Sequence, residues 1–285
     1  MDFKKYFNKF KKLFLKFWRS DDSKISLIRD VFVALMLVLI LLISLWSYTG
    51  QWFGAPMVAI ESGSMEHVDP PFGRIGTIDA GDMVLLVNVD EKNDILPHNL
   101  KENYEYGKHG DVVIYKPDGR NNEDQIIHRA MCWVEVETIN GQKVYTIEGT
   151  DVVRQNASEP LYLPELGIRA KESDKPTVVA GWTNSGFITK GDNPNTNPTC
   201  DQIGGITSQP IKIDWISGKA RGEIPWIGTI NLFFNDIMSG GEPTVKNVHE
   251  DSIICLFILI IVLISIPVFL DLYSYIKSKD EEEHK

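Results

Sequence analysis

Two long apolar runs, one near each end of the chain, constrain the fold more than any other feature. The first covers Ile25 to Tyr48 and has an uncharged centre from Val31 to Trp46. The second, Ile253 to Leu270, carries no charged residue. Since a helix of about 20 apolar residues crosses a hydrocarbon core of ~30 Å, we predict transmembrane helices over residues 25–48 and 251–272.

Each run has a soluble alternative. The first would be a cleaved signal peptide, but its charged lead is long and no Ala-x-Ala-like cleavage site follows it. The second would be a buried core helix, but it is apolar on all sides, which favours contact with lipid. Both alternatives are therefore less favoured than membrane helices.

Residues 1–24 form a basic segment ahead of the first run. Aromatic and leucine side chains recur there at steps of three and four, with lysines between them, which predicts an amphipathic helix over residues 3–18. Such a helix suits anionic headgroups, although an ordinary core-facing helix has the same pattern. Positive charge before the first span predicts a cytoplasmic N-terminus. We therefore expect a two-pass cell-membrane protein with residues 49–250 outside and a cytoplasmic tail over 273–285.

Composition excludes several classes of function. The net charge of −10 argues against a nucleic-acid binder. The sequence contains no P-loop or dinucleotide-binding fingerprint, and none of Cys132, Cys200 and Cys255 stands in a Cys-x-x-Cys pair. We expect no metal and no cofactor. Whether Cys132 and Cys200 form a disulfide is left open.

The segment 49–250 is predicted to be mainly β. Short apolar and β-branched runs alternate there with Gly, Asp and Asn, as strands do with turns. The predicted strands are Met83–Val87, Asp111–Tyr115, Gln125–Ile127 and Lys143–Ile147. The Asn-Gly pair in Ile139-Asn140-Gly141-Gln142 predicts a hairpin, because both residues tolerate the positive φ of a type I′ turn.

The stretch Glu61-Ser62-Gly63-Ser64-Met65-Glu66 follows the first span closely and makes Ser64 the candidate nucleophile. A serine hydroxyl needs a base, either a neutral lysine or a histidine oriented by a carboxylate. Among the histidines, His128 follows a predicted strand, where a rigid scaffold can direct a side chain. His67 is close to Ser64 in sequence and is a less favoured base. A plain surface histidine at a strand end is the other interpretation of His128.

Two aspartates are candidates for the carboxylate. Asp192 lies in Phe187-Ile188-Thr189-Lys190-Gly191-Asp192-Asn193, where an apolar strand runs into a turn, and Asp201 follows in the same loop. An ordinary Asx-turn explains the Gly-Asp-Asn group equally well. The residues alone therefore do not choose between the two aspartates.

Several segments together resemble type I signal peptidases of the archaeal and endoplasmic-reticulum branch. Ser62-Gly63-Ser64-Met65-Glu66 resembles that family's nucleophile segment, and Ile127-His128-Arg129 its base segment. The other matching segments, in the family's order, are Gly81-Asp82-Met83-Val84, Gly110 to Tyr115, Thr189-Lys190-Gly191-Asp192-Asn193 and Gly218 to Gly228. The resemblance covers about residues 54–230.

The resemblance implies a Ser-His-Asp site with Ser64 as nucleophile and His128 as base. It implies that Ser62 and the Ser64 N–H hold the oxyanion. The family's second aspartate is the better match to an orienting acid, which here favours Asp201, with Asp192 in a supporting role. The loop between the two aspartates is longer than usual. His67 also replaces the proline that normally follows the nucleophile segment.

The expected function is therefore that of a membrane-bound serine endopeptidase that removes signal peptides from secreted preproteins. Its candidate partners are those signal peptides, membrane lipid and the protein translocation channel. An inactive homologue or a non-enzymatic assembly subunit is the main alternative, and a self-cleaving repressor is a further one. The long segment 134–187 predicts an extra hairpin or a lid.

Overall fold

The computed structural model describes residues 3–20, 22–52, 54–170, 177–240 and 243–283. Within it the chain separates into two compact units, Met1–Trp52 and Phe53–Lys285. The first unit is helical. The second contains the β-sheet and the second long apolar helix.

The first unit contains helices α1 (Phe3–Trp18) and α2 (Ser23–Thr49). The predicted helix over residues 3–18 is confirmed. The Asp22 side chain caps α2 by accepting hydrogen bonds from the N–H groups of Lys24 and Ile25. Gly50 ends α2 in the left-handed conformation, with φ of 70°.

The second unit is built on one antiparallel sheet. Its strands are β1 (Met57–Ala59), β2 (Met83–Val87), β5 (Val112–Tyr115), β6 (Ile126–Ile139), β7 (Gln142–Ile147), β8 (Gln155–Asn156), β9 (Gly186–Lys190) and β10 (Ile216–Ile224), and a separate hairpin holds β3 (Tyr104–Glu105) and β4 (Lys108–His109). The spatial order is β1-β2-β10-β5-β6-β7-β8, and β9 also pairs with β6. The prediction of a mainly β segment is confirmed.

Strand β6 is the centre of this arrangement. Its first part pairs with β5, its middle with β9 and its last part with β7. Asn140 and Gly141 connect β6 to β7 with φ of 51° and 80°, which confirms the predicted hairpin. The long segment 134–187 therefore does contribute an extra hairpin.

The helices of the second unit are α3 (Asp201–Gly204), α4 (Gly228–Ser239) and α5 (Glu250–Glu283). Short 3-10 turns cover Lys92–Asp94, His98–Leu100, Pro117–Gly119, Pro164–Leu166, Ile213–Trp215 and Thr244–Asn247. Helix α5 contains Pro267 and continues well beyond residue 272, where the predicted span ends.

Two helices, Ser23–Thr49 and Glu250–Lys277, are long and apolar enough to cross a membrane. Their apolar side chains are largely exposed on the protein. The chain therefore has a mainly β domain flanked in sequence by two long apolar helices, which is compatible with a two-pass membrane protein.

Among the described residues, the domain core consists of three groups of buried apolar side chains. The largest surrounds Trp182 and Tyr145, on the side of the extra hairpin. Another packs Met65 with Ile60 and Ile78. Because Met65 is 1% exposed, it fixes the segment that carries Ser64 to the sheet.

Candidate active site

Ser64 lies in a tight turn just after β1. The N–H of Glu66 donates to the carbonyl oxygen of Gly63 at 3.2 Å, which closes the turn. Asn193 clamps it from the other side: its N–H donates to Ser64 O at 3.0 Å, and its Nδ2 donates to Gly63 O at 2.9 Å. The turn is therefore held by the loop that contains both candidate aspartates.

Gly191 makes this clamp possible. A Cβ atom at Gly191 would lie 2.6 Å from the Ser64 carbonyl oxygen and 2.5 Å from the Asn197 side chain. Such distances are too short for carbon, so any larger residue would push the two loops apart. The glycine of Gly191-Asp192-Asn193 is explained by this close approach.

His128 occupies the third position of β6, opposite Val113 of β5. Its ring is 2% exposed, and Nδ1 donates to Oδ2 of Asp201 at 2.7 Å. With Nδ1 in this hydrogen bond, the tautomer that carries its proton on Nδ1 leaves Nε2 as an acceptor. An imidazole in this state can take a proton from a hydroxyl group.

Asp201 is the first residue of α3 and is fully buried. Its Oδ2 also accepts a hydrogen bond from the Tyr115 hydroxyl at 2.7 Å, while its buried Oδ1 has no partner among the described residues. Burial, followed by the charge of Asp201, raises the pKa of Tyr115 well above its ordinary value. The tyrosine therefore stays a hydrogen-bond donor throughout the physiological pH range.

Arg129 follows His128 on β6 and faces the opposite side of the strand. Its guanidinium is fully buried and binds Asp192 through two nitrogens, with Nη2 2.6 Å from Oδ2 and Nε 3.0 Å from Oδ1. Nη1 also donates to the carbonyl oxygens of Glu105 at 3.1 Å and Gly110 at 2.5 Å. This side chain therefore joins the β3–β4 hairpin to the loop that clamps Ser64.

Asp192 has two further cationic or polar neighbours. His67 Nε2 lies 3.3 Å from its Oδ2, and Lys108 Nζ lies 3.7 Å from its Oδ1. Burial raises the pKa of Asp192, but the hydrogen bonds from His67 and Arg129 and the charges of Arg129 and Lys108 outweigh it, so this pKa lies well below its ordinary value. Asp192 is therefore ionised at neutral pH and supplies the counter-charge of the buried Arg129 guanidinium.

Ser64 and His128 line one cleft of about 630 Å³, together with residues of β1 and the start of β6. Thr196 and Asn197 contribute the wall on the side of the aspartate loop. Ser64 and His128 are both described by the structure, and they form no hydrogen bond with each other. Catalytic hydrogen bonds are often long before a substrate binds, so a shared cleft is the relevant geometry.

Ser62 is exposed, and its hydroxyl lies 3.5 Å from the Ser64 hydroxyl. Both serines also line a second cleft of about 370 Å³, which reaches Asn247 and His249 just before α5. Ser64 therefore lies where two clefts meet. An extended peptide could pass along both.

The structure thus brings Ser64, His128 and Asp201 to one region and places Asp192 on the other side of β6. Sequence patterns assigned no role to four residues that form part of this region: Tyr115, Arg129, Asn193 and Asn197. Arg129 was visible as the residue after His128, and Asn193 as the last residue of Gly191-Asp192-Asn193. No local pattern indicated the role of Tyr115, because a tyrosine at the end of an apolar strand is typical of a core residue.

The remaining candidates are arranged as follows. His67 contacts Asp192, and His249 contacts Glu66 at 2.9 Å. Cys132 and Cys200 are buried free thiols, so they form no disulfide. No group of three or more His, Cys, Asp or Glu within the described ranges is placed to hold a metal ion.

No protein-family model matches the chain, and no curated protein matches it either. The interpretation of the site therefore depends on its geometry and on the motif resemblance.

Proposed function

We propose that this protein is a membrane-bound serine endopeptidase that cleaves signal peptides from secreted preproteins. The observation that carries the proposal is that His128, which lines the same cleft as Ser64, is hydrogen-bonded to the buried carboxylate of Asp201 behind it. A histidine with one nitrogen bound to a carboxylate, beside a serine in a tight turn, has the parts of a Ser-His-Asp triad.

In the proposed reaction, His128 Nε2 takes the proton of the Ser64 hydroxyl as Oγ attacks the scissile carbonyl carbon. Asp201 stabilises the imidazolium that forms, and Tyr115 holds the Asp201 carboxylate in place. The imidazolium then protonates the leaving amine as the C–N bond breaks, which leaves an acyl-enzyme. Water, deprotonated by the same histidine, hydrolyses this ester and restores the serine.

The oxyanion would be bound by the Ser64 N–H and the Ser62 hydroxyl. Donors aimed at the developing charge are worth about 10²–10³ in rate in other acyl-transfer enzymes. The Ser62 hydroxyl lies close to Ser64 Oγ and has an exposed position from which it can rotate.

Strand β1 offers an edge for the substrate. The N–H of Ile60 donates to Asp82 O, and Ile60 O accepts from Gly81, so Ile60 faces β2. By alternation, the N–H and C=O of Ala59 face the open side of the strand. An extended peptide can bind there by strand addition, with its scissile bond beside Ser64.

The two long apolar helices would determine where in the cell the enzyme acts. Spanning the membrane, they would hold the cleft near the surface where the apolar part of a signal peptide ends. Restricting enzyme and substrate to the same interface raises their effective concentration and aligns them. We place the catalytic domain on the extracytoplasmic side, as the basic N-terminal segment favours.

The experiment that tests this function is cleavage of a preprotein by the purified full chain in detergent. Replacing Ser64→Ala is expected to abolish cleavage, whereas Ser62→Ala lowers the rate by about 10²-fold. Equal activity of Ser64→Ala and wild type would disprove the nucleophile. An inactive wild-type protein that still binds the preprotein would favour the alternative of a non-enzymatic subunit.

The branch assignment has its own test. Bacterial relatives use a lysine as base, so His128→Lys asks whether this position accepts one. We expect no activity, because Asp201 and Tyr115 surround the position with groups suited to an imidazole. Retained activity would place the site with the lysine type.

A further inference from the structure

Helix α4 presents its apolar side chains away from the protein. Their exposed fractions are Ile230 39%, Phe233 53%, Phe234 59%, Ile237 63% and Met238 86%. These positions follow the spacing i, i+3, i+4, i+7 and i+8, so they share one face. A helix on the surface of a protein in water would turn this face inward.

The other sides of α4 explain why the apolar face is outside. Thr229 and Leu232 are buried and occupy the opposite face, which packs on the domain. At 100° per residue, Asn231 and Asn235 lie on one flank between the two faces, and both are exposed. The only charged residue of the helix is Asp236. The helix thus has an inner face, a polar flank and a wide apolar face without a protein partner in the described unit.

Helix α4 is fixed next to the beginning of α5. The Asp236 carboxylate accepts hydrogen bonds from the N–H groups of Thr244 at 2.9 Å and Val245 at 3.0 Å. These residues form the short turn that leads into α5 at Glu250. The exposed face therefore belongs to the region from which the candidate membrane helix departs.

A second group of exposed apolar side chains lies beside the beginning of α5. Val68, Phe72 and Ile75 are 68%, 73% and 56% exposed on one loop. That loop is attached to the first turn of α5, since Asp251 Oδ2 accepts from the N–H of Gly73 at 3.0 Å and its Oδ1 pairs with Arg74 at 3.4 Å. Two apolar surfaces thus flank the start of one long apolar helix.

We propose that the outer face of α4 and the 68–75 loop lie in the lipid interface and seat the catalytic domain on the membrane. The occupant is lipid because both surfaces adjoin the helix that enters the bilayer, and because α4 has no basic side chain to recruit an acidic protein surface. An exposed apolar patch at this point matches the headgroup–acyl boundary. The proposal rests on the membrane residence of α5 but not on the peptidase reaction.

A catalytic domain held on the membrane in this way would keep Ser64 at a constant distance from the membrane surface. Glu66, two residues after Ser64, pairs with His249 at 2.9 Å, one residue before α5 begins. With α4 and α5 both anchored, Ser64 could not tilt away from the surface. Cleavage would then favour bonds located directly at the end of a membrane-inserted helix.

The test uses the full chain in phosphatidylcholine–phosphatidylglycerol vesicles, with an environment-sensitive fluorophore on single introduced cysteines. Cys255 is replaced by Ala, while Cys132 and Cys200 are buried and unreactive in the folded protein. Labels are placed at Phe234→Cys and Met238→Cys. The control Val153→Cys is a comparably exposed apolar position between β7 and β8, at the end of the sheet opposite β1. Ile261→Cys in α5 reports insertion.

We expect brominated lipid to quench the labels at Phe234, Met238 and Ile261 at least twofold more than the label at Val153, and aqueous iodide to quench mainly Val153. Iodide quenching at Phe234 equal to that at Val153 would overturn the seating while leaving α5 inserted. Protection of Phe234 from both quenchers would assign the face to a protein partner and also overturn it. Absence of lipid quenching at Ile261 would refute the membrane residence on which both proposals depend.

Discussion

The neighbouring residues His128 and Arg129 lie on opposite faces of strand β6, and their electrostatic surroundings differ. His128 binds one buried carboxylate, that of Asp201, whose Oδ2 also accepts a hydrogen bond from the Tyr115 hydroxyl. Arg129 faces a cationic and carbonyl-rich region in which Asp192 is bound by several donors at once. On one side a ring nitrogen of His128 can exchange a proton, whereas on the other side the Arg129–Asp192 pair is charged at neutral pH.

This contrast suggests different roles for the two aspartates: Asp201 in the proposed reaction, and Asp192 in holding the structure around Ser64. A catalytic acid must orient its histidine without fixing it as a permanent cation, and Asp201 has that environment. A buried ion pair with five or more hydrogen bonds instead fixes the position of two loops, which is what Arg129 and Asp192 do around the Ser64 turn. The predictions below test this division.

The largest effect is expected from the loss of the base. His128→Ala should lower the rate of preprotein cleavage by about 10⁴–10⁶-fold, as removal of a triad histidine does elsewhere. His67→Ala is the matched control, because His67 also contacts a buried aspartate but lies on the Asp192 side. Its activity should stay within about tenfold of the wild type. Equal losses in both variants would remove the distinction between the two faces.

The second effect concerns stability. Asp192→Asn leaves the buried Arg129 guanidinium without its counter-charge and should lower the free energy of unfolding by about 3–5 kcal/mol. Asp201→Asn should cost only about 1–2 kcal/mol, since an amide can still accept the Tyr115 hydrogen bond. Urea unfolding followed by tryptophan fluorescence, to which the buried Trp182 contributes, measures both. A larger loss in Asp201→Asn would reverse the assignment of the structural pair.

The same pair predicts a pH dependence. The pKa of Asp192 is lower in the folded protein than its unfolded value of about 3.9, so its stabilising effect is complete above about pH 4. Below that pH the unfolded chain takes up the proton first, and the stabilisation is lost as the pH falls towards the folded pKa. The stability difference between wild type and Asp192→Asn should therefore shrink as the pH falls from about 4 to about 2. A constant difference over that range would contradict the ion pair.

The smallest effect is expected at Tyr115. Tyr115→Phe removes one of two hydrogen bonds to Asp201 Oδ2 and should lower the unfolding free energy by about 1.5 kcal/mol. Cleavage should fall by about tenfold, because the carboxylate is less firmly held but still contacts His128. Val113→Ala, in the same strand and opposite His128, serves as a packing control. Its cleavage rate should stay close to the wild-type rate, whereas the rate of Tyr115→Phe should fall; equal rates in the two variants would contradict the role of the Tyr115 hydrogen bond.

Sequence patterns predicted some of the helices and strands and part of the site. Periodicity predicted the helix over residues 3–18, and short apolar or β-branched runs bounded by turn residues predicted the strands at Met83–Val87 and Lys143–Ile147. The Asn140-Gly141 turn was predictable because few residue pairs adopt two positive φ angles in succession. His128 was accessible to the same reasoning, since it ends an apolar run.

The partners across the site were not accessible to local reasoning. Asp192 and Asp201 belong to one polar loop, and the choice between them depends on contacts with residues 63 and 73 positions away. Tyr115 meets Asp201 across 86 positions. A local pattern contains no information on such distant pairs, and only the motif resemblance favoured Asp201 in advance. Helix α4 was not predicted either, and the spacing of its apolar residues, which a core-facing helix shares, does not show that this face is exposed.

The most direct test of this account compares preprotein cleavage by Asp201→Asn and Asp192→Asn, with each rate normalised to the folded fraction of the variant. The account predicts a loss of about 10⁴-fold for Asp201→Asn, in which His128 would hold the wrong tautomer. It predicts that folded Asp192→Asn stays within about 10²-fold of the wild type, as expected for a displaced loop. A folded Asp201→Asn protein with near wild-type activity, or an inactive Asp192→Asn protein that is fully folded, would contradict the proposed triad.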